Sequence, residues 1–160
     1  MNILFIKYAN DRKEKYRIKT VIAEENGEKF IYKEALNEHS VDHIRNIYLN
    51  KEKIKLNNSI FKLVNSWFKN GRVFFDYIEG KTLDSIAIDI FFNDGVAKLL
   101  KFLLELKKEI DKNNGSVVNL DLTLDNIIKK ENGELVIIDY EWLSDIDKSQ
   151  LRNEFVFFRL

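Results

Sequence analysis

The chain has 160 residues, 45% of them apolar, with 12 Phe, 6 Tyr and 2 Trp. That is enough to fill one core or two small lobes sharing a cleft, and too much for a disordered segment. The 26 basic and 26 acidic side chains cancel, which argues against a nucleic-acid partner or a polybasic membrane binder; the absence of cysteine excludes disulfides, zinc–cysteine sites and a thiol nucleophile.

The opening run, Asn2 to Tyr8, is apolar and β-prone, and too short for a signal peptide. No stretch approaches the ~18 apolar residues of a membrane span, so a cytoplasmic location is the default expectation. A charged connection over residues 10–15 leads to an alternating segment, Tyr16 to Glu24, in which Tyr16, Ile18, Thr20 and Ile22 share one face and Arg17, Lys19, Val21 and Ala23 the other. Glu25-Asn26-Gly27 signals a turn, and Lys29 to Glu34 is the returning strand. Asn37 to about Leu56 is predicted as a helix, capped by Asn37 or Ser40, with Val41, Ile44 and Tyr48 on its apolar stripe. Ser59 to Phe68 and Arg72 to Ile78 read as a second hairpin around Asn70-Gly71. His39 and His43 have an i, i+4 spacing used for metals, but no third ligand is in view.

The second half changes character. Thr82 is placed to cap a short helix over Leu83 to Ile90. Asn93 or Asp94 is placed to cap a longer one, with Val96, Leu99, Leu100, Leu103, Leu106 and Ile110 at helical spacing, and Asn113-Asn114-Gly115 is a stop signal. Two short apolar runs, Asp125 to Ile128 and Leu135 to Asp139, are joined by Glu131-Asn132-Gly133. The expected architecture is α+β: a small five-stranded antiparallel lobe over residues 1–80 and a short, mainly helical lobe over 81–160, with a cleft between them.

Three polar residues mark the small hairpin. Asp121 precedes it, Asn126 opens its first strand and Asp139 closes its second. A tight hairpin brings its ends together, so Asn126 and Asp139 should lie side by side, offering the hard oxygen ligands that Mg²⁺ takes. Asp121, five residues before Asn126, is in reach as a base or orienter. The bland alternative is that Asp121 and Asp125 are ordinary turn or cap residues.

The segment Asn119-Leu120-Asp121-Leu122-Thr123-Leu124-Asp125-Asn126-Ile127-Ile128, followed by Val136-Ile137-Ile138-Asp139-Tyr140-Glu141, resembles the kinase-like fold, in its aminoglycoside phosphotransferase and choline kinase branch. The resemblance covers about residues 1 to 141. It implies that Asp121 receives the proton of a substrate hydroxyl, and that Asn126 and Asp139 hold Mg²⁺ against the phosphates of ATP. Val73 to Leu83 is similar to the hinge strand between lobes, whose backbone at Asp76 and Ile78 would pair with the adenine edge. Ile31-Tyr32-Lys33-Glu34-Ala35 is similar to the third strand, with Lys33 on the α/β phosphates and Glu52, or alternatively Glu38, as its partner.

The chain departs from the family pattern in having no glycine-rich phosphate loop, Asn119 where a histidine is usual, and only 21 residues after Asp139, ending in the apolar run Asn153 to Leu160. It also resembles small kinase-like modules of bacterial surface-polysaccharide synthesis. The expected activity is ATP-dependent phosphoryl transfer to a hydroxyl of a small molecule or sugar acceptor. The alternative expectation is a non-catalytic kinase-like docking module, or a fragment of a larger enzyme.

Overall fold

A computed structural model describes residues 1–54, 56, 60–112 and 123–139. The chain divides into two units: residues 1–51 with 64–77, and residues 52–63 with 78 onward.

The first unit is built on β1 (Asn2–Tyr8), β2 (Ile18–Glu25), β3 (Glu28–Ala35), β5 (Ser66–Lys69) and β6 (Arg72–Asp76). They form one antiparallel sheet in the order β1-β2-β3-β6-β5. Two Asn-Gly turns set its registers. Asn26 and Gly27 have φ of 54° and 83°, and Asn70 and Gly71 have 51° and 74°. Two consecutive left-handed residues are what a tight two-residue hairpin requires, and Asn-Gly supplies them at least cost. The helix α1 (Val41–Asn50) buries Ile44 and Ile47. It lies on the sheet face that carries Lys33, Val73 and Phe68: these three are cross-strand partners, and the Phe68 ring stands 6.1 Å from that of Tyr48 on α1.

The sheet is buried in part on both faces, which explains why β2 is apolar on both. Ile18 is buried on the α1 side, while Val21, Ala23 and Tyr32 form a cluster on the other with Phe30 and Phe74 packed around it. On that second face Glu34 lies between its two cross-strand neighbours. Lys19 Nζ sits 2.5 Å from Glu34 Oε1, and Arg72 Nε bridges to Glu34 Oε2. The hydrogen bond to Glu34 raises the Lys19 pKa above its ordinary value, against the opposing effect of burial.

The helix expected from Asn37 to Leu56 is shorter than its apolar spacing suggested. Asn37 caps a 3₁₀ turn over Glu38–Ser40, accepting from the Ser40 amide at 3.0 Å, and a second 3₁₀ turn, Lys51–Lys53, follows α1. His39 sits on the first turn and His43 on α1, where its ring packs edge-on against Tyr16 at 5.0 Å.

The run from Ser59 to Phe68 is not one strand. Its first part, β4 (Phe61–Leu63), belongs to the second unit and lies parallel to β9 (Leu135–Ile137); only Ser66–Lys69 pairs with β6. With β7 (Lys81–Thr82) and β8 (Ile127–Lys129), these strands make a four-stranded sheet in the order β4-β9-β8-β7. Strand β9 is flanked on both sides, and all of Leu135, Val136 and Ile137 are buried. A central strand covered on both faces reads as a continuous apolar run rather than an alternating one.

The helices α2 (Leu83–Asp94) and α3 (Val96–Lys112) complete this unit. Thr82 holds the N-cap position of α2 without a side-chain cap bond. Asn93 and Asp94 belong to α2 rather than capping α3. The break falls at Gly95, whose φ of 85° lets its N–H close on the carbonyls of Ile90 and Phe91. No helix among the described residues is long and apolar enough to cross a membrane.

Candidate functional site

The predicted hairpin is present, and its register is Ile127↔Ile137, Ile128↔Val136 and Lys129↔Leu135. At its turn, the Gly133 N–H donates to the Lys130 carbonyl and the Lys130 N–H to the Glu134 carbonyl, both at 2.9 Å. The Asn132 side chain accepts from the Glu134 amide at 3.1 Å. Glu134 is further held by Lys62 of β4 and by Lys130 at 3.0 Å. These hydrogen bonds, that of Lys62 first, lower the Glu134 pKa.

The other end of the hairpin carries the candidate metal ligands. Asn126 closes a 3₁₀ turn, Leu124–Asn126, and its amide donates to the Thr123 carbonyl at 3.0 Å. Its carbonyl accepts from the Ile138 amide at 2.9 Å, one step beyond the ladder. Asp139 thus follows directly on the residue that is bonded across the hairpin to Asn126. Both residues are half-buried, whereas Asp125 is exposed. A neutral amide oxygen and a carboxylate, both hard donors, suit Mg²⁺ better than a softer metal. Asp121 lies outside the described residues, as do Asn119, Tyr140 and Glu141.

The nucleotide-side residues lie as follows. Lys33 is on the third strand of the first unit and only 5% exposed. Its Nζ stands 5.9 Å from the ring centre of Phe75, which offsets part of the cost of burying an ammonium. Glu52 is exposed on the 3₁₀ turn after α1 and belongs to the other unit. Glu38, on the turn before α1, is exposed beside His39. The helix itself carries no glutamate.

Asp76 ends β6, and its N–H donates to the Asn65 carbonyl at 3.2 Å. That amide is therefore already engaged and does not serve an adenine edge. Ile78 lies past the end of the strand, and the chain passes from one unit to the other between Tyr77 and Ile78.

One positioning residue escaped the sequence reading. Gly80 has φ of 154°, and a Cβ there would lie 2.4 Å from the Lys129 carbonyl oxygen. Only glycine lets the chain pass that closely into β7, which pairs with β8 and so braces the hairpin that carries Asn126. The signal was a lone glycine before two residues of strand, too short to register as an element.

An open groove of about 480 Å³ lies at the turn end of the hairpin, lined by Gly80, Lys81, Ile86, Lys129, Lys130 and Glu131. Ile127 and Ile128 separate it from Asn126, and Lys81 and Lys130 are already matched by Asp89 and Glu134. Neither Asn126 nor Asp139 lines it. No family model matches the chain, and no curated protein matches it.

Proposed function

We propose that the chain is a kinase-like phosphotransferase that moves the γ-phosphoryl group of ATP to a hydroxyl of a small molecule or glycan. The observation that supports this reading is the hydrogen bond between the Ile138 amide and the Asn126 carbonyl, which extends the hairpin to Asn126 on one strand and to the residue before Asp139 on the other. Two further features support it. A nearly buried lysine occupies the third strand of a five-stranded antiparallel sheet, followed by a helix, which is the order in which kinases present their phosphate-binding lysine. The segment expected to meet the adenine edge lies where the chain leaves one unit for the other.

In this reading Asn126 and Asp139 hold Mg²⁺, which supplies charge neutralisation to the phosphates when bound. Lys33 orients the phosphates with a fixed positive charge. The carbonyl of Asp76 and the backbone of Ile78 position the base. Asp121, placed by its spacing from Asn126, orients the acceptor hydroxyl and receives its proton as the new P–O bond forms. Most of the rate enhancement would come from positioning and electrostatics rather than covalent chemistry.

The test is a transfer assay with purified protein, Mg-ATP and a panel of sugars, amino alcohols and aminoglycosides. Transfer that Asp121→Asn abolishes is the expected result. Undetectable transfer by the wild type, or full transfer by Asp121→Asn, contradicts the assignment.

A further inference from the structure

Strand β1 lies at one edge of the first unit's sheet, with β2 as its sole neighbour among the described residues. All seven of its residues are exposed. Ile3, Leu4, Phe5 and Tyr8 are each 45–54% exposed, so apolar side chains meet solvent on both faces of the strand. The outer side of its backbone is open as well. The Ala9 N–H donates to the Ile18 carbonyl at 2.9 Å; antiparallel alternation then turns Phe5 and Lys7 toward β2 and leaves the N–H and C=O of Ile6 and Tyr8 on the outer edge. A long apolar edge of this kind is a template for another strand. The opposite edge, β5, is four residues long and ends on Lys69.

Two charges show which strand it would take. Lys7 stands near one end of β1, opposite Thr20, and Glu24 of β2 stands beside Asn2 at the other end. Neither Lys7 nor Glu24 has an ion-pair partner among the described residues. The extra residue Leu4 shifts the alternation between Ile3 and Phe5. Register therefore puts Asn2, Phe5, Lys7 and Glu24 on one face of the sheet, and Ile3 and Ile6 on the other.

We infer that β1 pairs antiparallel with β1 of a second copy, joining the two sheets edge to edge about a two-fold axis at Phe5. Phe5 then faces Phe5 of the partner subunit, Ile6 faces Ile3 of the partner subunit, and Lys7 faces Asn2 of the partner subunit. Each pair lies on one face of the joined sheet, as opposed residues of an antiparallel ladder must. The outward N–H and C=O of Ile6 gain partners across the axis. Lys7 reaches past Asn2 of the partner subunit to Glu24 of the partner subunit, two strands or about 10 Å away at the backbone. The combined length of a lysine and a glutamate side chain spans that gap. The two-fold makes the contact twice, which is the self-complementarity an isologous interface requires. An axis at Ile6 would set Lys7 against Phe5 of the partner subunit and leave Glu24 unanswered.

A contact between two seven-residue strands falls at the small end of protein interfaces, below ~1,200 Å² in total, so the dimer should dissociate in the micromolar range. The short opposite edge ending on Lys69 keeps the assembly from growing into a ribbon. The inference is independent of nucleotide binding.

Sedimentation velocity of the purified full chain over roughly 1–300 µM tests it. A monomer–dimer equilibrium that stops at two is expected. Lys7→Glu and Glu24→Lys should each weaken it roughly 10-fold, because two symmetry-related contacts become like-charged at once, and the double reversal should restore it. Ile6→Pro removes an N–H that serves only the outer edge and should abolish the dimer. If the proline unsettles the strand, the charge reversals still read the same contact. Phe92→Asp, on α2 and 77% exposed, should leave the dimer unchanged. A monomer at every concentration, growth beyond two copies, a dimer indifferent to the single reversals, or a double reversal no tighter than the singles overturns the inference.

Discussion

Replacing Gly80 by alanine would place a methyl group 2.4 Å from the Lys129 carbonyl oxygen and 2.6 Å from Ile128 Cγ2. The first obstacle is backbone, held in place by the pairing of Lys81 with Lys129 and Thr82 with Ile128. Relief therefore means opening the β7–β8 ladder. The φ of 154° adds a second cost, because side-chain-bearing residues rarely enter that region. Backbone strain of this kind costs about 1–3 kcal/mol, and a lost ladder hydrogen bond about 1 kcal/mol. Reduced freedom of the unfolded chain returns about 0.4–1 kcal/mol. The net destabilisation is about 1–4 kcal/mol, a substantial share of the ~5–15 kcal/mol that holds a domain together. Gly95 is the comparator. Its φ is 85°, but an added Cβ meets nothing within 4 Å, so Gly95→Ala carries only the conformational cost of about 1 kcal/mol. Urea titration followed by circular dichroism separates the two. With a mid-range slope of ~2 kcal/mol/M, Gly80→Ala should lower the midpoint by roughly 0.5–2 M and Gly95→Ala by less than half as much. Equal midpoints for the two variants would refute the close-approach argument.

Ile137 is fully buried in the central strand, and Ile137→Ala should cost about 2–5 kcal/mol, against under ~0.5 kcal/mol for Ile88→Ala on an exposed helix face; urea midpoints check both. Glu134 has a lowered pKa in the folded chain, so its stabilisation is present above the ordinary glutamate pKa of ~4.3 and is lost as pH falls through the folded value. The melting temperature of Glu134→Gln should accordingly lie below wild type at pH 7, with the gap closing as pH is lowered below ~4; a gap that widens there would contradict the assignment. Lys33→Met should weaken Mg-ATP binding by at least ~10-fold, whereas Lys69→Met, on an exposed strand, should leave it unchanged; isothermal titration decides.

Much of the first unit was legible because Asn26-Gly27 and Asn70-Gly71 announce two-residue hairpins, and a period of two surrounds them. The long period of α3 was equally plain. The division of the 59–68 run was not. Phe61 to Phe68 contains no glycine or proline at which to break, and only the partners available to each half, β9 for Phe61–Leu63 and β6 for Ser66–Lys69, send them to different sheets. The end of α1 was overrun because Ile54 and Leu56 continue an apolar spacing past Asn50, and this moved Glu52 from a helix face onto a turn.

The candidate site shows the same split. The hairpin that Asn126 and Asp139 bracket was legible because two short apolar runs flank Glu131-Asn132-Gly133, and its ladder runs on to the bond between Asn126 and Ile138. The bond from Asp76 to Asn65 was not, because it depends on where β5 begins after the chain has changed sheets. The close passage at Gly80 likewise depends on a two-residue strand that carries no periodic signal.

The central claim is that Asn126 and Asp139 form one half of an ATP-Mg²⁺ site. Isothermal titration of ATP into the wild type, Asn126→Ala and Asp139→Asn, each with Mg²⁺ and with EDTA, addresses it directly. Wild-type binding that requires Mg²⁺ and weakens at least ~10-fold in both variants is the predicted result. No binding at millimolar ATP, or equal Mg²⁺-dependent binding by a folded Asp139→Asn, would contradict it.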